Sequence, residues 1–87
     1  MIGMNSKQLA TLRKIFESPT RADIPWADIE SLLDALGAIL KGKKGSRVGV
    51  TLGGHYALFH GPHPRPDTDK GTVERIREFL QRAGVTL

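Results

Sequence analysis

Gly53-Gly54 stands between two runs of alternating character, Ser46 to Leu52 and His55 to His60, and no other feature constrains the chain as tightly. Two-residue turns that match the right-handed twist of paired strands need positive backbone torsions, which glycine adopts without steric cost. The two runs are therefore expected to form a hairpin whose register follows by counting outward from the turn. Leu52 faces His55, Thr51 faces Tyr56, Val50 faces Ala57, Gly49 faces Leu58, Val48 faces Phe59 and Arg47 faces His60. Val48, Val50, Leu52, Ala57 and Phe59 then share one face, the core face, and Arg47, Thr51, Tyr56 and His60 share the other. A slip of one residue would scatter the apolar set over both faces.

The flanking segments read as helices. Asn5 and Ser6 can cap a first helix, expected over residues 5–17, in which Leu9, Leu12, Ile15 and Phe16 recur at helical spacing; Pro19 ends it by Ser18. Thr20 to Pro25 reads as a connector. Pro25 opens a second helix with Trp26, Ile29, Leu32, Leu33 and Leu36 on one stripe and Asp28, Glu30 and Asp34 on the other, and Gly37 stops it. Ala38 to Leu40 is a short strand leading into a flexible basic loop, Lys41 to Gly45. After the hairpin, Gly61 to Pro66 is an extended, proline-rich loop. Thr68 or Asp69 caps the last helix, whose buried stripe is Val73, Ile76, Phe79, Leu80 and Ala83 and whose end is Gly84. The expected fold class is α+β in the order α-α-β-β-β-α, a small three-stranded antiparallel sheet with helices packed on one face.

At 87 residues the chain has length for one core, so residues 1–87 are expected to form a single domain. With 39% hydrophobic and 25% charged residues the balance is that of a soluble protein, and no apolar run approaches the roughly 20 residues needed to cross a bilayer. Met1 to Ser6 has no basic region followed by an apolar segment, and the absence of cysteine removes disulfides, thiolate zinc sites and redox dithiols. A cytoplasmic location without membrane attachment is expected. The net charge of +4 favours anionic partners, nucleic acid among them, although mild basicity also serves solubility.

From Trp26 to Val85 the sequence resembles the HicA toxins. The resemblance is carried by the helix ending Leu36-Gly37, a short strand, a basic turn leading to Gly45-Ser46, the hairpin, Pro62-His63 in the following loop, and Lys70-Gly71-Thr72 opening the last helix. It implies a fold like that of double-stranded-RNA-binding domains, cleavage of messenger RNA without a metal or other cofactor, and a HicB-type antitoxin as partner. The helix before Asp23 is additional to the minimal family pattern. The family motif Gly-Ser-His stands here as Gly45-Ser46-Arg47, so the imidazole taken to be catalytic in the family has no counterpart at that position.

Cleaving RNA without metal requires a base for the 2′-hydroxyl proton, an acid for the leaving oxygen and cationic donors for the phosphorane, and histidine suits the proton transfers. Of the three histidines, His60 stands out because the register sets it across from Arg47, whose planar fork suits a phosphate. In the competing account His60 is an inert strand residue. His63 falls where the family has its own loop histidine and is the second candidate for proton transfer; it can equally bond the loop backbone. His55 reads as a partly exposed turn residue. Lys41, Lys43, Lys44 and Ser46, beside Arg47, are candidate RNA contacts, against the plain reading of a solvated turn. Lys70 and Thr72 at a helix start offer a second phosphate site, or simply an ordinary helix opening. Tyr56 on the polar face can stack on a base, whereas Trp26, on the stripe with Ile29 and Leu33, belongs to the core. No histidine pair has convincing metal spacing with carboxylates, so no metal site is expected. A non-catalytic RNA-binding module and an antitoxin-docking domain are the alternatives to a ribonuclease.

Overall fold

The computed structural model describes residues 3–42, 45–61 and 66–87. The elements run α1 (Ser6–Ile15), β1 (Ile24–Pro25), α2 (Trp26–Ala35), β2 (Ile39–Gly42), β3 (Arg47–Leu52), β4 (His55–His60), β5 (Asp67–Thr68) and α3 (Lys70–Arg82). Strands β2, β3 and β4 form an antiparallel sheet in that order, and β1 pairs with β5 in a separate two-residue ladder. The architecture is α+β, with a three-stranded antiparallel sheet and three helices, an arrangement compatible with a double-stranded-RNA-binding-domain-like fold.

Local chemistry sets the helix limits. Asn5 accepts the Gln8 amide at 2.8 Å while the Gln8 side chain accepts the Asn5 amide at 2.9 Å, a reciprocal cap that starts α1. Both α2 and α3 end on a left-handed glycine, Gly37 at φ 89° and Gly84 at φ 84°. Beyond each glycine the chain turns back: Ala38 donates to the Leu33 carbonyl at 3.0 Å and Val85 to that of Leu80 at 2.8 Å, the bond that closes a Schellman end.

The hairpin has the expected register at all six pairs, and its turn glycines sit at φ 57° and 81°. Val50 and Phe59 are almost wholly buried and Leu52 nearly so, with Val48 and Ala57 partly buried beside them. Phe59 meets Phe79 of α3 edge to face at 5.7 Å between ring centroids. The Arg75 guanidinium lies over the Phe59 ring, 5.1 Å from its centroid, and donates to the Leu58 carbonyl at 2.9 Å, so it also covers part of the β4 edge. One hydrophobic cluster runs from Leu12 and Ile15 of α1 through Ile29, Leu32 and Leu33 of α2 to the sheet and to Val73, Ile76, Phe79 and Leu80 of α3.

Three features differ from the sequence-based expectation. Strand β2 continues through Lys41 and Gly42, which pair with Gly49 and Val48, so Lys41 belongs to the sheet rather than to a loop. The end of the connector pairs with Asp67 and Thr68 in the β1–β5 ladder, extended by a bond from the Trp26 amide to the Pro66 carbonyl at 2.9 Å. Helix α1 stops at Ile15, and its end is held by α3: Arg77 Nε donates to the Ile15 carbonyl at 2.9 Å and Nη2 to Thr20 Oγ1 at 3.0 Å. Charged donors to carbonyls near a helix end are among the stronger hydrogen bonds. Arg77→Ala is expected to lower stability by about 1–3 kcal/mol, read as a fall in the urea midpoint; an unchanged midpoint would mean that this clasp carries no net stability.

Candidate functional site

Strand alternation leaves the sheet one open face, built from three rows. Ile39, Thr51 and Tyr56 form the first, Lys41, Gly49 and Leu58 the second, and Arg47 with His60 the third. Ile39, Lys41, Arg47, Thr51, Tyr56 and His60 are all exposed, and the helices pack against the other face. Strands β2, β3 and β4 include no aspartate or glutamate; all nine carboxylates of the chain lie in helices, connectors or the β5 ladder. On the helical side some of the charges are paired, with Lys7 3.5 Å from Asp28 and Arg21 at 2.8 Å from Asp23 and 3.2 Å from Glu17. The Arg21 guanidinium holds the Asp23 carboxyl below its usual range. The sheet face is thus cationic by segregation of charge.

Arg47 and His60 stand opposite one another for a reason that lies in the ladder. The Gly61 amide donates to the Ser46 carbonyl at 2.7 Å, which makes positions 46 and 61 a hydrogen-bonded pair. The next pair inward, Arg47 with His60, is then of the non-hydrogen-bonded type, where Cα atoms stand about 4.5 Å apart and side chains are closest. Gly61 enables the close approach, because a Cβ there would stand 3.0 Å from the Ser46 carbonyl oxygen and 3.5 Å from Trp26 Nε1. Trp26, buried at 7% exposure, backs this end of the sheet and belongs to the core, as its stripe implied.

The open face brings together Lys41, Arg47, Tyr56 and His60; Ser46 adjoins it and is exposed. Lys43, Lys44 and His63 lie outside the described residues. His55 is exposed beside the turn. Lys70 and Thr72 stand apart, at the start of α3. There Asp69, not Thr68, is the cap: it accepts the Thr72 amide at 3.1 Å and the Thr72 hydroxyl at 2.8 Å. These donors already hold a carboxylate, and Thr72 is buried at 8% exposure. The geometry is that of an ordinary helix opening. Among the described residues no cluster of three or more histidine, aspartate or glutamate side chains can hold a metal, and no helix is long and apolar enough to cross a membrane.

A family model described as the HicA toxin of bacterial toxin-antitoxin matches residues 26–85. The chain belongs to the HicA toxin family. No curated protein and no solved structure matches. The family match takes in α2, the whole sheet, β5 and α3, and leaves α1 and β1 outside it. Every residue of the open face therefore lies within the HicA part of the chain.

The Asp69 cap has a pH signature. Hydrogen bonds from the Thr72 hydroxyl and then its amide hold the Asp69 carboxyl below its ordinary value. A carboxyl depressed in the folded state contributes stability that is full above its unfolded pKa of about 3.9 and is lost as pH falls through the folded value. Asp69→Ala is expected to cost about 1 kcal/mol at neutral pH, with the gap to the parent narrowing as the pH drops below about 4. Denaturation midpoints at both pH values check this, and a constant gap would contradict it.

Proposed function

We propose that the open sheet face binds RNA and that Arg47 and His60 cleave it without a metal ion. The observation that carries this reading is their position as a directly opposed, exposed, non-hydrogen-bonded pair on a face without carboxylates. In the proposed step His60 takes the proton of a ribose 2′-hydroxyl, the 2′-oxygen attacks the adjoining phosphorus, and the P–O5′ bond breaks. Arg47 holds the phosphate oxygens through its planar fork and stabilises the charge that builds on the phosphorane. The leaving 5′-oxygen takes a proton from a second carrier, for which the sequence offers His63. Lys41, Lys43, Lys44 and Ser46 contribute phosphate contacts along the strand entering the site.

This reading restores, one strand over, the imidazole that the family motif carries at the position of Arg47. With it come the family's biological setting, a toxin acting on messenger RNA in the cytoplasm, and a HicB-type antitoxin that neutralises it.

A long single-stranded RNA incubated with the full chain in excess chelator is expected to be cut. Arg47→Ala and His60→Ala are each expected to lower the rate by about 100-fold or more, the scale of losing a proton-transfer group or an oxyanion donor. Intact RNA with the parent chain, across several sequences, would point to a binding module; cutting at the parent rate by His60→Ala would remove His60 from the chemistry.

A further inference from the structure

The open face contains an arrangement that proton transfer and phosphate binding leave unused. Tyr56, the chain's one tyrosine, is 58% exposed, yet Gly49 below it is buried. A Cβ on Gly49 would stand 2.6 Å from the Tyr56 hydroxyl oxygen, 3.1 Å from Cε1 and 3.2 Å from Cζ. The phenol end therefore lies down across the glycine, its diagonal neighbour on the adjacent strand, whereas strand side chains ordinarily stand off the sheet. The phenol end sits over the space that the glycine leaves, and more than half of the side chain meets solvent. The ring starts in the row of Thr51 and reaches over the row of Lys41, one row short of Arg47 and His60. Adjacent rows, two residues apart along a strand, are about 7 Å apart.

An exposed, flat aromatic ring on a carboxylate-free face with Lys41 and Arg47 suits a polyanion that also has π faces. Duplex RNA keeps its bases stacked on one another and offers only groove edges and phosphates; unpaired bases can stack on an aromatic side chain. We propose that Gly49 and Tyr56 form a platform for one unpaired base, and that stacking there sets which neighbouring phosphate meets the row of Arg47 and His60. This rests on the RNA reading above and adds to it a positioning residue, Gly49, and a preference for single-stranded RNA with the cut at a constant offset from the stacked nucleotide.

The test uses the full chain with its tyrosine ring isotopically labelled, which yields one set of ring signals, and a 2′-O-methylated oligouridylate that cannot undergo 2′-oxygen attack. A matched oligomer without bases is the control. The ring signals are expected to move upfield with the oligouridylate and to stay in place with the abasic strand. Tyr56→Ala is expected to weaken oligouridylate binding by roughly ten- to hundredfold, while Tyr56→Phe binds as the parent does. Gly49→Ala is expected to weaken it by lifting the ring. Should Gly49→Ala fail to fold, the Tyr56 pair of variants carries the test alone. Equal affinity for the abasic strand, or binding that leaves the ring signals unmoved, would overturn the platform and leave RNA binding standing. No binding to any RNA would overturn both.

Discussion

Phe59 decides which face of the sheet is available for chemistry. Its side chain is buried against Phe79 of α3 and beneath Arg75, so strand β4 can present only alternate residues, Tyr56, Leu58 and His60, to the outside. The turn at Gly53 and Gly54 transmits that choice to β3, where Arg47, Gly49 and Thr51 must then face outward. A one-residue slip would turn Val48 and Val50 into water and carry Arg47 into the core, at the cost of an unpaired buried charge. The outward pairing of Arg47 with His60 is therefore a consequence of the core packing of their inward-facing neighbours. The same alternation sets Tyr56 diagonal to Gly49.

Charge is distributed to the same end. The carboxylates sit on the helices, the connectors and the β5 ladder, some matched to lysine or arginine there, while the strands of the three-stranded sheet hold cations without acids. Helix α1, outside the HicA match, joins the core through Leu12 and Ile15 and is tied to α3 by Arg77. Its packing partners are chiefly the helices, so it thickens the helical layer and leaves the open sheet face uncovered.

The hairpin, its register and its inward residues were legible because a two-glycine turn and period-two alternation are short-range signals. The three helices were legible from apolar stripes with a capping residue or glycine at their ends. The β1–β5 ladder was not, because two-residue strands have no periodicity and their pairing joins Ile24 to Thr68 across the chain. Lys41 was read as loop because a lysine and glycines signal a turn locally, while its place in β2 comes from pairing with Gly49. For the site, the opposition of Arg47 and His60 followed from counting, and the place of Tyr56 on the outer face did too. That the Tyr56 phenol end reaches over Gly49 is a diagonal contact that no periodicity encodes. Lys70 and Thr72 resemble a phosphate site in sequence, but the Asp69 carboxylate that occupies the Thr72 donors is equally visible there as a cap.

The claim that Arg47 and His60 drive attack by the ribose 2′-oxygen is tested most directly by the ends of the cut RNA. The account predicts a 2′,3′-cyclic phosphate on one fragment and a 5′-hydroxyl on the other, formed in excess chelator and abolished when the nucleotide at the cut carries 2′-deoxyribose. A 5′-phosphate product, or cutting that persists at the deoxy position, would contradict it.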